Sequence, residues 1–487
     1  MTPVSYRVAR PRGRARLHRQ PLRPRPSYRP PPDPRYQKPK GVVTAWTRIR
    51  RLLWSWWPWA ILSVYYIEQH NWWAAFGIAL WAGVCSLSTP AEFPPQFGLD
   101  HNLAVGDPEF MNTLAGAAGV PFVDGNAVEL LNNGDRFYPS MMDAIIKAER
   151  SITIEAYIYW AGEIGLQFAK TLAAAAERGV HVKILLDAVG SSSISSEILK
   201  ILENSGCHVA WYNPIRWNHL RRINNRTHRK SLIIDGRIGF TGGAGIADHW
   251  TGDAQDDKHW RDLMIRIEGP AVRPLQTGFA QNWLEATTEL VTGPYFYPSP
   301  VPAGHMQLQT IMSSPETGAS TVRLMYCLAI SAARTTIDIA NPYFVPDHVS
   351  IDLFRDATKR GVRVRVMVAG LSNDTLMARL NSVRLYGAVL KAGVELYEYN
   401  RTMMHHKIMI VDGRWSTVGT SNFDNRSFSH NEENNVSAVN EELAQSLLAS
   451  FEDDLALCDR ITLEEWRRRP LWHKTVEALA SFVQDQV

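Results

Sequence analysis

Hydrophobic and polar residues along this 487-residue chain follow two periods, which predict strands and helices in turn. β-branched residues alternate through Ile152 to Tyr159 and through Ile337 to Phe344, as expected for strands. The run Leu166 to Ala176 is rich in alanine and leucine and predicts a helix, with Gly179 as its C-terminal cap. The order strand, helix, strand, helix, strand predicts an α/β fold in which helices cover both faces of a mixed sheet.

The same three segments occur twice, in the same order. Residues 148–152 match 332–336, residues 178–184 match 360–366, and residues 205–213 match 392–400. Internal repetition of this kind predicts two similar structural units. We therefore expect two lobes related by a pseudo-twofold axis, the first at 110–293 and the second at 316–487. Prolines from Pro294 to Pro315 predict a linker at 294–315.

A tryptophan-rich apolar segment at 52–88 precedes the repeat. Its two arms, Leu52 to Ile67 and Trp72 to Leu87, are separated by a short polar turn. Each arm is close to the lower limit of the roughly 17–25 residues that a spanning helix needs. Tryptophan favours membrane–water interfaces, so we expect a membrane helical hairpin here. A buried core hairpin and a re-entrant interfacial segment remain alternatives.

Residues 1–51 carry most of the positive charge of the chain. They hold 15 arginines and lysines and one acid, whereas the remainder holds 37 basic and 47 acidic residues. With ten prolines in residues 1–40, this segment predicts a disordered basic tail. Such a tail suits a nucleic-acid arm, an anionic-lipid anchor or a solvated linker, and the neighbouring hairpin favours the lipid anchor. The positive-inside bias predicts that tail and body lie on the cytoplasmic side.

The cysteines and the acidic residues do not indicate a metal centre. Four cysteines lie far apart without a CxxC pair, which argues against a disulfide framework or a zinc ribbon. Asp253, Asp256 and Asp257 are close together, but a solvated acidic loop explains them better than a cation site does. We therefore expect no metal and no cofactor.

One short motif occurs twice, at equivalent places in the repeat. It consists of His228, Lys230 and Asp235 in the first copy and of His405, Lys407 and Asp412 in the second. On a strand, the histidine and lysine of each copy would share one face and form an anion site with a titratable nucleophile. The aspartate would lie on the opposite face, where it either orients the histidine of the other half or closes its own turn.

The two motifs resemble the signature H-x-K-x4-D-x6-G-[GST]-x-N of the phospholipase D superfamily. The second copy matches it through Gly419-Thr420-Ser421-Asn422, whereas the first has Gly245 in place of the final asparagine. Within the superfamily, the chain is similar to bacterial cardiolipin synthases over roughly residues 125–460. The similar stretches are 224–230, 260–262, 267–272, 341–347 and 422–428.

The resemblance implies a catalytic set made of both motifs, with His228 as nucleophile and His405 as general acid and base. It implies that Lys230 and Lys407 face the phosphate. The catalytic residues expected in this way are His228, Lys230, Asp235, His405, Lys407 and Asp412, and the substrate-binding residues are Gly242, Gly243, Asn422, Arg226 and Glu433.

The resemblance also implies a substrate and a location. Two phosphatidylglycerol molecules would be condensed into cardiolipin and glycerol at the bacterial inner membrane, with anionic lipid as partner and no nucleic acid. A hydrolytic phospholipase D and a membrane-tethered nuclease remain alternatives. Five arginines between Arg216 and Arg229 suit either a nucleic-acid backbone or an anionic headgroup. The acidic body and the hairpin favour lipid.

Overall fold

The structure is a computed structural model that describes residues 55–87, 103–214, 225–314 and 321–480. The chain divides into two compact units, residues 1–86 and residues 87–487. The predicted basic tail at 1–51 lies outside the described residues.

The first unit contains a helical hairpin at the predicted position. Helices α1 (Trp56–Glu68) and α2 (Trp72–Leu87) are joined by a turn in which His70 has a positive φ of 58°. The polar turn leaves helices of 13 and 16 residues, shorter than the roughly 20 that span a bilayer. Within the described ranges, no helix has the length and apolar character needed to cross a membrane, so the predicted transmembrane helices are not found there.

The second unit begins with the elements of the first half of the repeat. They are α3 (Pro108–Ala118), β1 (Val123–Asn132), α4 (Gly134–Ile146), β2 (Ser151–Ala156), α5 (Glu163–Glu177), β3 (His181–Asp187), α6 (Ser196–Asn204), β4 (His208–Tyr212), β5 (Arg226–Thr227), β6 (Ser231–Ile234), β7 (Ile238–Gly242), a 3-10 turn (Asp248–Trp250), β8 (Leu263–Glu268) and α7 (Val272–Thr287).

The elements of the second half follow in nearly the same order. They are β9 (Met306–Ser313), α8 (Thr321–Ala332), β10 (Thr336–Ala340), α9 (His348–Lys359), β11 (Arg363–Ala369), α10 (Leu376–Lys391), β12 (Glu395–Tyr399), β13 (Ile408–Val411), β14 (Trp415–Gly419), α11 (Asn425–Ser429), β15 (Asn431–Val439), α12 (Glu441–Leu455), β16 (Cys458–Ile461), α13 (Leu463–Arg467) and α14 (Leu471–Ala480).

All of these strands belong to one mixed sheet. Its order is β16-β12-β11-β10-β13-β14-β15-β9-β1-β8-β7-β6-β2-β3-β4, with β5 paired to β15. On one side, β1 is followed outward by β8, β7, β6, β2, β3 and β4. On the other side, β9 is followed by the equivalent strands of the second half in the same order, β15, β14, β13, β10, β11 and β12. β2, β3 and β4 are parallel, as are β10, β11 and β12, whereas β1 and β9 are antiparallel. The predicted α/β fold with a mixed sheet is confirmed.

The segment 294–315, predicted as a linker, also contributes to the sheet. It contains β9, which pairs with β15 on one side and with β1 on the other. A continuous ladder therefore runs through the segment that the prolines indicated as a connection, and β9 holds the two halves of the repeat together.

Helices cover both faces of the sheet, so its central strands are buried throughout. Along β2, Ile152 and Ile154 pack in one apolar cluster with Phe137 of α4 and Phe168 of α5. On the opposite face, the Thr153 hydroxyl lies 3.1 Å from the side-chain oxygen of Gln276 in α7. All six residues of β2 are buried, as is typical of a strand covered by helices on both sides.

Candidate active site

His228 and His405 lie immediately before β6 and β13, rather than within these strands. The N–H of His228 donates to the carbonyl oxygen of Glu432 at 2.9 Å, and the N–H of His405 donates to that of Arg261 at 2.8 Å. Each histidine is thus hydrogen-bonded to the other half of the repeat. The strands β6 and β13 begin at Ser231 and Ile408, just after the two lysines, although the carbonyl oxygen of Lys407 still accepts the N–H of Gly419 in β14 at 3.3 Å.

The His228 imidazole is held by Glu433, which belongs to the second half. Nδ1 of His228 lies 3.0 Å from each carboxylate oxygen. The Thr420 hydroxyl donates to Oε2 of Glu433 at 2.5 Å, and the amide of Asn431 donates to Oε1 at 3.3 Å. The Glu433 side chain is fully buried, so its orientation is fixed by these contacts.

The His405 imidazole is held in the same way by Asp262, which belongs to the first half. Nδ1 of His405 lies 3.0 Å from Oδ2 of Asp262. The indole N–H of Trp250 donates to the same oxygen at 2.8 Å, and the backbone N–H of Leu263 donates to Oδ1 at 2.7 Å. Asp262 was missing from the expected set. Its signal in the sequence is that it is an acid directly before the apolar strand after the first motif. Glu433 is likewise an acid that comes after the second motif.

The two carboxylates give both imidazoles the same orientation. When Nδ1 donates its proton to the acid, the lone pair is on Nε2, which is then available as a nucleophile or a base. Burial and the Lys407 charge lower the pKa of His405 to about 4. Burial, followed by the charges of Lys230 and Lys407, lowers the pKa of His228 well below its usual value. Both imidazoles are therefore neutral at physiological pH in the free protein.

Lys230 and Lys407 place two buried cations beside the imidazoles. Nζ of Lys230 donates to the carbonyl oxygen of His228 at 3.0 Å, and Nζ of Lys407 lies 3.1 Å from Nε2 of His405. Burial lowers the pKa of Lys407 to about 8, and burial together with the Lys407 charge lowers the pKa of Lys230. Since each motif lies in the field of the other, the two form one site that attracts an anion.

Asp235 and Asp412 do not orient the imidazoles, which corrects the expectation that they belong to the catalytic set. The Asp235 carboxylate accepts the backbone N–H groups of Glu149, Arg150 and Ser151 at 2.7–3.0 Å. Both aspartates have positive φ, 53° for Asp235 and 54° for Asp412, in the turns after β6 and β13. A strand separates each aspartate from its histidine, so the carboxylate closes its own turn, the second of the two alternatives.

Replacing Asp412 by alanine is expected to lower stability without disturbing the imidazole contacts. Its carboxylate accepts the backbone N–H groups of Arg334, Thr335 and Thr336 at 2.7–2.9 Å. Loss of this cap should lower the free energy of unfolding by about 1–3 kcal/mol. The measurement is the midpoint of denaturant unfolding. The matched control is Asp143→Ala, which removes an exposed ion pair with Lys147 and should change the midpoint little. Equal midpoints for the two variants would contradict the capping role.

The expected substrate-binding residues occupy different environments. Glu433 holds His228, and Gly243 packs so closely on Asp262 that an added Cβ would lie 2.1 Å from Oδ1. An added Cβ on Gly242 would lie 2.3 Å from the carbonyl oxygen of Leu263, so Gly242 is equally confined. Asn422 is buried in the turn after β14, and its binding role stays a prediction.

Arg226 does not present a free guanidinium. It is buried, and its nitrogens lie 2.8 Å from the carbonyl oxygen of Asn213 and 3.4 Å from Asp187. Its bonds to protein groups argue for a role in supporting the segment before His228. The predicted direct contact of Arg226 with substrate finds no support in this arrangement.

Sequence comparisons place the chain in one family. Residues 141–283 and 326–455 match the family described as cardiolipin synthase, PLD-like domain. The chain is 32% identical over 362 residues to the major cardiolipin synthase ClsA of Bacillus subtilis (strain 168), covering 74% of this chain and 75% of that protein. It is 35% identical over 354 residues to the cardiolipin synthase of Geobacillus sp. (strain WCH70), covering 72% and 70%.

The fold is also similar to a solved structure, the phosphatidylserine synthase of Haemophilus influenzae Rd KW20. The TM-score is 0.62 at 14% identity, over 78% of this chain and all of that one. Each of the two segments that match the PLD-like domain contains one histidine–lysine motif, and the chain is a member of the phospholipase D superfamily. Within that superfamily, the chain belongs to the cardiolipin synthase family with a PLD-like domain.

Proposed function

We propose that the chain is a phosphatidyltransferase that condenses two molecules of phosphatidylglycerol into cardiolipin and glycerol. The observation that carries this proposal is the pair of imidazoles, each held by a buried acid of the other half, beside two buried lysines. Two such imidazoles suit a two-step exchange, since one can attack phosphorus while the other transfers protons.

In the first step, Nε2 of His228 attacks the phosphorus of one phosphatidylglycerol. A P–N bond forms, the P–O bond to the headgroup glycerol breaks, and His405 gives a proton to the departing oxygen. The anionic phosphodiester and the Asp262 carboxylate favour protonation of His405 in the complex. Lys230 and Lys407 hold the charge that develops on the phosphoryl oxygens.

In the second step, His405 removes a proton from the headgroup hydroxyl of the second phosphatidylglycerol. The hydroxyl oxygen attacks phosphorus, the P–N bond breaks, and His228 is released as neutral imidazole. His405 is left protonated and ready for the next cycle.

We further propose that the two halves form lobes related by a pseudo-twofold axis, at 110–293 and 316–487, with the site between them. The mirrored strand order about β9 and β1 supports this arrangement. Each histidine needs an acid from the other half, so neither lobe has a complete site by itself.

The hairpin is proposed to lie in the interface of the bacterial inner membrane. Trp73 is 87% exposed, and Phe76, Leu80 and Ile61 are each more than 60% exposed, on helices too short to span. Exposed aromatic and aliphatic side chains on short helices suit the boundary between headgroups and acyl chains. We propose the cytoplasmic face for the body, because anionic lipid there attracts the basic tail.

Turnover is expected to fall at alkaline pH, since the site holds anionic phosphate with lysines of lowered pKa. The pKa of Lys407 is about 8, so its charge is present below that pH and is lost as the pH rises through it. The measurement is kcat/KM for phosphatidylglycerol against pH. The control is Lys407→Arg, whose guanidinium stays charged and should move the alkaline limb to higher pH. If the limb stays in place, the titrating group is not Lys407.

A product assay tests the proposed function. Full-length protein is supplied with vesicles of phosphatidylglycerol labelled in the headgroup, and single-stranded DNA is tested in parallel. We expect cardiolipin and free glycerol in equal amounts and no cleavage of DNA. Phosphatidic acid without cardiolipin would indicate a hydrolase, and DNA cleavage without a lipid product would indicate a nuclease. The doubly substituted His228→Ala/His405→Ala protein provides the background rate.

A further inference from the structure

The first copy of the motif lacks two side chains that the second copy has. At the place equivalent to Thr420, whose hydroxyl donates to Glu433, the first copy has Gly243. At the place equivalent to Asn422, it has Gly245. The Asp262–His405 dyad is nevertheless as well ordered as the Glu433–His228 dyad, with the same 3.0 Å separation. Another group must therefore do the work of the missing side chains.

We infer that Trp250 completes the first motif and is a positioning residue for His405. Its indole N–H donates to Asp262 at 2.8 Å, on the carboxylate oxygen that also contacts His405. This is the same relation that the Thr420 hydroxyl has to Glu433 and His228. The inference rests on the proposed role of His405, and it concerns the group that holds the acid in place.

The space around Trp250 explains both glycines. A Cβ on Gly243 would lie 2.1 Å from Oδ1 of Asp262, so no hydroxyl-bearing side chain fits there. A Cβ on Gly245 would lie 2.9 Å from Cζ3 of Trp250, because the indole ring fills the volume that an asparagine side chain would need. One tryptophan thus replaces the donor missing at position 243 and the bulk missing at position 245.

The surroundings of Trp250 leave the indole little freedom. Its side chain is fully buried, and its ring centre lies 5.5 Å from that of His405. The Tyr138 hydroxyl donates to the carbonyl oxygens of Gly245 and Ala247, in the segment between β7 and Trp250. The indole N–H donates and never accepts, so it favours the ionised form of Asp262, whose charged oxygens are the stronger acceptors. A hydroxyl such as that of Thr420 can serve either form of its partner.

The test compares Trp250→Phe, which keeps a ring and removes the donor, with Trp250→Tyr, which keeps a ring and a donor. In Trp250→Phe we expect kcat for cardiolipin formation to fall about tenfold to a hundredfold, with KM nearly unchanged. The acidic limb of kcat should move to higher pH, because Asp262 loses a donor that favours its charge. Trp250→Tyr should recover most of the rate.

The matched control is Trp283→Phe in α7, which removes an indole-to-carboxylate hydrogen bond of 3.0 Å to Glu289. Its kcat and pH profile should match those of the wild type. The inference is overturned if folded Trp250→Phe keeps the wild-type kcat and acidic limb. It is equally overturned if Trp250→Tyr is folded and as slow as Trp250→Phe. Should Trp250→Phe fail to fold, Trp250→Tyr decides alone, with near-wild-type kcat expected. Wild-type protein that makes no cardiolipin would count against the proposed function instead.

Discussion

His228→Ala is expected to abolish cardiolipin formation, with a loss on the order of 10⁴-fold or more in kcat. The His228 imidazole is the group that takes the phosphatidyl moiety, and alanine removes the attacking nitrogen. The loss should persist with an activated donor such as phosphatidyl-p-nitrophenol, because a better leaving group does not replace the attacking nitrogen. The measurement is release of p-nitrophenol by rapid mixing with folded protein.

His405→Ala is the matched control and should behave differently. Natural phosphatidylglycerol needs a proton on its departing glycerol, so this variant should also fail to make cardiolipin. p-Nitrophenol leaves without that proton, so His405→Ala should release about one equivalent per site and then stop, because the second step lacks its base. A burst from His228→Ala and none from His405→Ala would reverse the two assignments.

Asp262→Asn is expected to lower kcat on the order of 10³-fold to 10⁴-fold, although the side chain does not touch the substrate. The carboxylate accepts the Nδ1 proton of His405, whereas the amide can present its N–H group to Nδ1 and favour the wrong tautomer. Nε2 would then carry the proton and could not act as a base. Steady-state kcat with phosphatidylglycerol measures the effect.

The control for Asp262→Asn is Asp235→Asn. The Asp235 carboxylate caps backbone N–H groups in the turn after β6 and does not orient an imidazole. We expect this variant to unfold more easily while the folded molecules keep kcat within a few-fold of wild type. If Asp235→Asn were the slower enzyme at equal folded fraction, the assignment of Asp262 as the orienting acid would fail.

The sequence predicted the parts of this site that depend on local pattern. The repeat located both motifs, and β6 and β13 follow them as the apolar residues indicated. Helix α5 ends as expected, with Gly179 at φ 91° in the left-handed region. These features are predictable because each depends on neighbours in the chain.

The orienting acids depend on contacts across the fold, and this is why the sequence indicated them poorly. Asp262 meets His405 because the chain before β8 pairs with the chain before β13, where Arg261 and Met404 form an isolated bridge. The motif aspartates were more conspicuous, since their spacing repeats, but that spacing reflects a turn. Both alternatives for Asp235 suited the chain pattern, and only the fold could decide between them.

Two other expectations differ from what the described residues show. Prolines around 294–315 indicated a linker, yet Met306, Leu308 and Thr310 alternate with glutamines as in a strand, and β9 forms there. The apolar segment at 52–88 was long enough in total to suggest two crossings. The described helices there have 13 and 16 residues, and no helix among the described residues is long and apolar enough to cross a membrane.

The most direct measurement is to locate the covalent intermediate. Folded His405→Ala is mixed with phosphatidyl-p-nitrophenol, quenched at alkaline pH where phosphohistidine survives, digested and analysed by mass spectrometry. We predict one phosphatidyl group per chain on the peptide that contains His228, and none when His228 is also replaced. A phosphatidyl group on another residue, or release of p-nitrophenol with no labelled peptide, would contradict the double displacement on which this account rests.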